Sequence, residues 1–260
     1  MRPRTRSSSA AGSTRRGRRR PPAAEPARAI FFGSGAFAVP VLEALAAACE
    51  VRLVAVVTAP PRPVGRARVL RRTPVGERAV ALGLPLLTPE RLRDASVVAV
   101  VAALHPEIGV LADYGKLLPQ AILDLPQRGI LNLHPSLLPR HRGATPVPAA
   151  ILEGDAQSGV SLFRMDAGMD TGPIVAAEAV ALSGDEDAPG LEARLAAVGA
   201  GLLGRSLGPW LRGALPAIAQ SPDRMSVTRP FRREDGRLDP ARPAAALERQ
   251  VRACRPWPGT

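Results

Sequence analysis

The segment that decides the fold is Arg28–Val57, which reads RAIFFGSGAFAVPVLEALAAACEVRLVAVV. Its first apolar run stops at Gly33-Ser34-Gly35, a helical pattern of apolar residues follows, and a second apolar run begins at Val51. A strand, a glycine turn, a helix and another strand in this order are typical of the opening of a parallel sheet. We therefore predict an α/β fold with a doubly wound, mostly parallel sheet.

The rest of the chain continues this alternation of strands and helices. Ser96–Leu104 is rich in β-branched residues, but Asp94 precedes it and His105-Pro106 follows it, so we predict a helix there. Further predicted strands are Ile108–Ala112, Ile130–Leu133, Val160–Phe163 and Ile174–Val180, and further predicted helices are Leu191–Leu211 and Ala244–Ala253. Ligands of doubly wound sheets bind beyond the carboxyl ends of the strands, so the functional residues should follow strands.

The glycine turn does not fit a nicotinamide-binding site. The dinucleotide pattern would use Gly33, Gly35 and Ala38. An acidic residue that binds the ribose should follow about 20 residues later, yet no Asp or Glu occurs between Glu50 and Glu77. A nicotinamide oxidoreductase is therefore disfavoured.

The positive charge of the chain is concentrated at its amino terminus. The formal net charge is +12, and the first twenty residues contain eight arginines and no acidic residue. We predict that residues 1–27 form a disordered basic tail, whose composition also fits an organelle transit peptide. Because most of the net charge lies in this tail, it does not indicate a nucleic-acid-binding surface on the folded domain. The low aromatic content of 3% also disfavours a base-stacking surface.

Composition also limits the class of protein and its domains. Two cysteines, Cys49 and Cys254, exclude a disulfide framework and a cysteine-built zinc site, and we predict no metal. No apolar run is long enough to form a membrane-spanning helix. The scarcity of cysteines indicates a reducing compartment, so a cytoplasmic protein is expected. We predict a catalytic domain at residues 28–214. From Pro216 onward, prolines and charges interrupt any pattern, so residues 215–260 should begin with a linker.

Candidate catalytic groups follow two of the predicted strands. Asn132 and His134 are two residues apart on a strand, so their side chains point to the same face at the carboxyl edge of the sheet. Asp170 lies in a glycine-containing loop, Met165–Pro173, between two later strands. From local sequence alone, the Asn-x-His pair could equally be a satisfied loop pair, and Asp170 could be an ordinary turn residue bonded to its own backbone.

A resemblance favours catalysis. Asn132–Ala144, which reads NLHPSLLPRHRGA, and Met165–Gly172, which reads MDAGMDTG, together resemble the signature of the folate-dependent formyltransferases. The resemblance implies a Rossmann-like formyltransferase domain and a formyl group donated by 10-formyltetrahydrofolate. It also implies that Asn132, His134 and Asp170 are catalytic, with Asn132 and His134 donating to the oxyanion and Asp170 favouring the protonated imidazole.

Other stretches resemble the branch of that superfamily whose acceptor is methionyl-tRNA. These are FAVP at 37–40, RPVGR at 62–66, YGKLLP at 114–119 and PWP at 256–258. The branch implies an initiator methionyl-tRNA partner, and we expect the chain to be a monomer. The residues expected to bind the folate cosubstrate are Tyr114, Ser136, Leu137, Leu138 and Pro139, and those expected to bind tRNA phosphates, all in the long loop Pro60–Arg72, are Arg62, Arg66, Arg68, Arg71 and Arg72.

The chain also departs from the family pattern. Ser34-Gly35 replaces a frequent Thr-Pro, Asp113 replaces a small or apolar residue, and His141 replaces an aromatic residue. Members carry a carboxyl-terminal β-barrel domain, and this chain is expected to stop within its first part, after the linker. Two alternatives remain: a formyltransferase for another amine, such as glycinamide ribonucleotide or a sugar nucleotide, and a folate-binding fragment without activity.

Overall fold

A computed structural model describes residues 25–65 and 68–260. Most of the predicted tail of residues 1–27 therefore lies outside the described residues, and its last residue, Ala27, begins the first strand. The helices are α1 Ala38–Ala47, α2 Pro74–Ala81, α3 Ala95–Ala103, α4 Gln120–Leu123, α5 Pro146–Glu153, α6 Ala188–Leu211 and α7 Ala244–Ala253. The strands are β1 Ala27–Gly33, β2 Val51–Val57, β3 Arg62–Val64, β4 Val69–Arg71, β5 Leu86–Leu87, β6 Ile108–Ala112, β7 Ile130–His134, β8 Arg142–Gly143, β9 Gln157–Arg164, β10 Ile174–Ala181 and β11 Val227–Thr228.

Seven strands form one sheet in the order β10-β9-β7-β6-β1-β2-β5. The five strands from β7 to β5 in that order are parallel, whereas β9 and β10 are antiparallel to their neighbours. The prediction of an α/β fold with a mostly parallel, doubly wound sheet is confirmed.

The sheet is buried on both faces because helices cover each of them. On β1, Phe31 packs with α1 and α6, whereas Ile30 and Phe32 pack on the opposite face with α3 and α4. This alternation is the two-residue period of a strand. Each such side chain contributes about 1.5–3 kcal/mol by leaving water, and the result is a rigid frame for the strand ends.

The β-branched segment after Asp94 forms a helix, as predicted. Helix α3 begins at Ala95 and ends at Ala103, before Pro106, and the next strand is β6 as expected. Asp94 stands at the N-cap, but its side chain makes no capping hydrogen bond, and its backbone carbonyl accepts from Val98 instead. The helix therefore forms without the expected side-chain cap, and it ends before the proline as predicted.

The arginine-rich segment after β2 is more ordered than the predicted loop. Strands β3 and β4 pair antiparallel, with Arg62 opposite Arg71, and form a small hairpin outside the main sheet. Arg66 lies outside the described residues. The hairpin projects beyond the carboxyl end of β2, on the side of the sheet where ligands are expected.

Residues after 214 pack directly on the sheet domain. Strand β11 pairs in parallel with β8, and α7 packs against α5, with Ala253 inside the main core. Among the described residues, no helix has both the length and the apolar character that a membrane crossing requires.

Candidate active site

Strand β7 brings Asn132 and His134 to the carboxyl edge of the sheet. Both are buried, with 7% and 5% of their surface exposed, and both lie between β6 and β9. Within the described residues, no hydrogen bond engages the Asn132 side chain. Its carboxamide is therefore available to a ligand, and the free amide argues against a satisfied loop pair.

The imidazole of His134 has a defined orientation. Its Nε2 lies 2.8 Å from the backbone carbonyl oxygen of His141. A carbonyl can only accept a hydrogen bond, so Nε2 carries a proton. The other ring nitrogen, Nδ1, faces Asp170 and lies 3.7 Å from its Oδ2.

Burial decides the charge of His134. Removal from water lowers the pKa of His134 below its ordinary value of 6.5, because the imidazolium loses hydration. The carboxylate of Asp170 and the His141 carbonyl act in the opposite direction, but they are smaller effects. At neutral pH the ring is therefore neutral, with its proton on Nε2 and a lone pair on Nδ1.

Asp170 is held in place by its own loop and by a distant backbone group. Its backbone is left-handed, with φ of 54°, and the N–H of Gly143 donates to its Oδ2 at 2.8 Å. Gly172 is needed two residues later because a Cβ there would lie 1.9 Å from the carbonyl oxygen of Arg164. This close approach directs the loop, and with it the carboxylate, toward His134.

His134 and Asp170 approach each other at the sheet edge that also carries Asn132, and the chain resembles known proteins along most of its length. The sequence pattern of the formyl transferase family matches residues 27–207. Methionyl-tRNA formyltransferase from Roseiflexus sp. (strain RS-1) is 46% identical over 234 residues, which are 90% of this chain and 72% of that protein. Its counterpart from Chloroflexus aurantiacus is 47% identical, over 89% of this chain and 74% of that protein.

The chain belongs to the formyl transferase family. Within this family it falls in the methionyl-tRNA formyltransferase branch. Formyltransferases of this family use 10-formyltetrahydrofolate as the formyl donor.

Solved structures share the fold of this formyltransferase. A sugar N-formyltransferase from a Shewanella species superposes with a TM-score of 0.68 at 16% identity, over 88% of each chain. Phosphoribosylglycinamide formyltransferase from Bacillus halodurans gives a TM-score of 0.60 at 26% identity, over 72% of this chain and 96% of that one.

Four of the residues expected at the folate site lie in the loop after His134, and two of them make hydrogen bonds that order this loop. Ser136 is buried and donates to the carbonyl of Arg140 at 2.6 Å, and Leu138 is buried with its N–H bonded to Ser161 Oγ at 3.0 Å. Leu137 and Pro139 are partly exposed. Their exposed surfaces remain available to the cosubstrate.

Tyr114 follows strand β6 by two residues, and its expected contact with the folate stays a prediction. Its ring packs edge-on against Phe32, and its buried hydroxyl has no hydrogen-bond partner among the described residues. Burial raises the pKa of Tyr114 to about 12, so the phenol stays neutral. The residue lines a cleft of about 390 Å³ beneath the arginine hairpin, together with Lys116.

Three of the five predicted tRNA-binding arginines, Arg62, Arg71 and Arg72, line that same cleft. Arg68 is exposed at the turn of the hairpin with φ of 47°. Below them, Ser34, Thr58 and Thr73 form a chain of hydroxyl contacts of 3.3 and 2.6 Å, which sequence reasoning missed. The cleft combines positive charge with hydroxyl groups, as a nucleotide-binding surface does.

The departures from the family pattern have local explanations. The carbonyl of Asp113 accepts from the N–H groups of Ser34 and Gly35 at 2.9 and 3.1 Å, which joins the ends of β1 and β6. A Cβ on Gly35 would lie 1.6 Å from Asp113 Oδ2, so glycine and aspartate form a matched pair. Burial raises the pKa of Asp113.

His141 belongs to an ion-pair cluster beside the loop that follows His134. Its Nε2 lies 2.8 Å from Asp155 Oδ2, and Arg140 contacts both Asp155 and Glu153 at 2.7 Å. The possible metal-ligating atoms of His141, Glu153 and Asp155 lie within 4.8 Å of one another. Because the guanidinium of Arg140 already pairs with both carboxylates, the cluster is better described as an ion-pair network than as a metal site.

Proposed function

We propose that the chain transfers the formyl group of 10-formyltetrahydrofolate to the amino group of initiator methionyl-tRNA, with Asn132, His134 and Asp170 as its catalytic residues. The observation that carries the proposal is the 3.7 Å distance between His134 Nδ1 and Asp170 Oδ2, beside a carboxamide with no partner among the described residues. At the formyl carbon, this arrangement can bring together the attacking nitrogen, a group that accepts its proton and a hydrogen-bond donor to the oxyanion.

The reaction requires one proton to move from the acceptor to the donor. The methionyl nitrogen attacks the formyl carbon, a C–N bond forms, and the electrons of the carbonyl π bond move to the oxygen. His134 Nδ1 takes the proton of the attacking nitrogen. The intermediate then collapses, the bond from the formyl carbon to N10 of the folate breaks, and the proton passes from Nδ1 to N10.

Asn132 stabilises the oxyanion that develops during the reaction, and Asp170 stabilises the protonated imidazole. The Asn132 amide donates to the developing oxyanion, a contribution typically worth about 2.7–4 kcal/mol. Once Nδ1 is protonated, the nearby Asp170 carboxylate stabilises the imidazolium. This revises the expected role of His134, because Nε2 is committed to His141 and Nδ1 can donate to the oxyanion only after taking the proton.

The arginine hairpin and the relatives favour methionyl-tRNA over other amines. Arg62, Arg71 and Arg72 form a basic cleft at the ligand side of the sheet, which suits phosphates of an acceptor stem. The relatives at 46% and 47% identity are methionyl-tRNA formyltransferases, whereas the sugar and ribonucleotide enzymes are more distant. We also propose that the chain acts as a monomer in the cytoplasm.

The deciding experiment measures formyl transfer from 10-formyltetrahydrofolate to charged initiator tRNA. Glycinamide ribonucleotide and an amino-sugar nucleotide serve as competing acceptors in the same assay. We expect transfer to methionyl-tRNA, with weak or no inhibition by the small acceptors. Preferential formylation of a small acceptor would reject the tRNA assignment, and folate binding without any transfer would identify an inactive fragment.

The charge state of His134 predicts a pH dependence. Since its pKa is lowered by burial, kcat/KM should be constant near neutral pH and fall on acidification, with an apparent pKa below 6.5. The free energy of unfolding should also fall on acidification. The unfolded chain takes up this proton near pH 6.5, whereas the folded chain does so only at lower pH. Initial rates from pH 5 to 8 test this, and a rate that rises on acidification would contradict the neutral base.

The basic cleft predicts a specific salt dependence. Replacing Arg62, Arg71 and Arg72 together by alanine should raise KM for tRNA and leave KM for the folate unchanged. Each lost phosphate contact should reduce the slope of log affinity against log salt by about 0.7–0.9. Arg128→Ala, an exposed arginine at the opposite edge of the sheet, is the control. An unaltered slope in the triple variant would exclude these arginines from the tRNA interface.

A further inference from the structure

One short piece of backbone holds both His134 and Asp170. The carbonyl oxygen of His141 accepts from His134 Nε2, and the N–H of Gly143 donates to Asp170 Oδ2, each at 2.8 Å. The 141–143 segment therefore sets the relative position of the imidazole and the carboxylate. A shift of this segment would separate the two groups.

The 141–143 segment is fixed in turn by residues far along the chain. Ser226 Oγ accepts from the N–H of His141 at 2.9 Å, and the carbonyl of Ser226 accepts from the N–H of Arg142 at 3.0 Å. The hydroxyl of Thr228 donates to the carbonyl of Arg142 at 3.0 Å. These contacts come from residues 218–228, beyond the span 27–207 that the family pattern matches.

Gln220 joins the two sides of the site through a single side chain. Its Nε2 donates to the backbone carbonyls of Asp170 and Gly172 at 2.9 and 2.7 Å. Its Oε1 accepts from Nε and Nη2 of Arg142 at 3.0 and 2.6 Å. A glutamine amide has two N–H donors and two acceptor lone pairs, so its hydrogen-bonding capacity is fully used.

The carbonyl groups that Gln220 binds belong to the least regular part of the site. Asp170 has a left-handed backbone, which is uncommon for a residue other than glycine and must be held by its surroundings. Two backbone hydrogen bonds of 2.7 and 2.8 Å between Ile174 and Ile218 fix the start of the 218–228 segment beside this loop. Gln220 is thus held at the point where it can restrain the Asp170 loop.

We propose that Gln220 is a positioning residue for formyl transfer, which keeps the Asp170 carboxylate and the 141–143 segment, and hence His134, in their reacting arrangement. The inference rests on the proposed function for its effect on rate, but its structural content stands on the four hydrogen bonds. A displacement of about 1 Å at a reacting group can lower a rate about 100-fold, so a residue that touches no reacting atom can matter to kcat.

The test compares Gln220→Ala and Gln220→Glu with the wild type. The glutamate can still accept from Arg142 but cannot donate to the two carbonyls, so it separates the two halves of the contact. Gln127→Ala is the control, because Gln127 is exposed in the turn that precedes β7, at the opposite edge of the sheet. We expect kcat to fall about 10–100-fold in both Gln220 variants, with KM for both substrates within about twofold.

A second measurement does not depend on activity. The chain has three histidines, so the ring nitrogens of His134 can be resolved by nitrogen-15 NMR. The wild type should show a single tautomer with the proton on Nε2, and Gln220→Ala should show exchange between tautomers at this residue. Thermal unfolding and binding of 5-formyltetrahydrofolate should change little.

The possible outcomes separate the proposals. An unchanged His134 spectrum together with an unchanged kcat in Gln220→Ala would overturn the positioning role. A loss of activity that only parallels a lowered unfolding midpoint, with folate binding lost to the same degree, would also overturn it. If the wild type transfers no formyl group, the proposed function fails, and the His134 spectrum alone decides whether Gln220 positions the site.

Discussion

Replacing Asp170 by asparagine is expected to lower kcat for formyl transfer by about 10²–10⁴-fold. The carboxylate faces His134 Nδ1 at 3.7 Å, and its charge stabilises the imidazolium that forms when the amine loses its proton. The amide of asparagine has no such charge. Single-turnover rates with saturating folate and methionyl-tRNA measure the effect.

The fold of this variant should remain intact. Asparagine tolerates the left-handed backbone at position 170, and its side-chain oxygen can still accept from the N–H of Gly143. The free energy of unfolding should fall by about 1 kcal/mol, because a hydrogen bond to a charged group becomes one to a neutral group. The control is Asp166→Asn. Asp166 is an exposed residue of the same loop, and its Oδ1 accepts hydrogen bonds from the Gly168 N–H and the Thr171 hydroxyl. Wild-type turnover in Asp170→Asn would reject the catalytic assignment.

His134→Gln should have an effect of similar size, about 10²–10⁴-fold on kcat. The amide nitrogen of glutamine can reach the position of Nε2 and keep the hydrogen bond to the carbonyl of His141. Nothing then replaces Nδ1 as the proton acceptor. The variant therefore removes the proposed base while it preserves the contact that orders the loop, and rates from pH 5 to 8 should lose the acid limb.

The control for this variant is His105→Asn. His105 is exposed after α3 and has a left-handed backbone that asparagine accepts. Its loss should leave kcat unchanged. The double variant of His134→Gln and Asp170→Asn should be little worse than either single variant, because residues that act as a unit have non-additive effects. Fully additive losses would mean that the two side chains act independently.

The elements of the fold were predictable where the local pattern and the sheet agree. The glycine turn after β1, the alternation of buried residues on strands and the prolines that follow helices are local signals. Helix α7 has the predicted bounds, and α3 formed despite its β-branched residues. The hairpin of β3 and β4 was predicted as a loop, because Arg62–Arg71 contains no apolar alternation and its order comes from pairing across the turn.

The residues of the candidate site likewise differ in whether a local sequence signal predicted them. Asn132 and His134 could be expected on one face because they are two residues apart on a strand. Asp170 had no comparable local signal, and only the resemblance to formyltransferases assigned it a role. The contact of Tyr114 with the folate stays a prediction, but the burial of its hydroxyl came only from the structure, since a sequence does not show which side of a loop a ring will occupy.

The order of apolar and turn residues along the chain by itself determined the parallel sheet, its helices and the edge at which ligands bind. Only the tertiary structure decided which nitrogen of His134 faces Asp170 and which distant residues hold that pair. The reason is physical: the His141 carbonyl and the Gly143 N–H are backbone groups that every residue carries. Gln220 reaches the Asp170 loop from 50 positions away, and such a contact arises from how the chain returns in space.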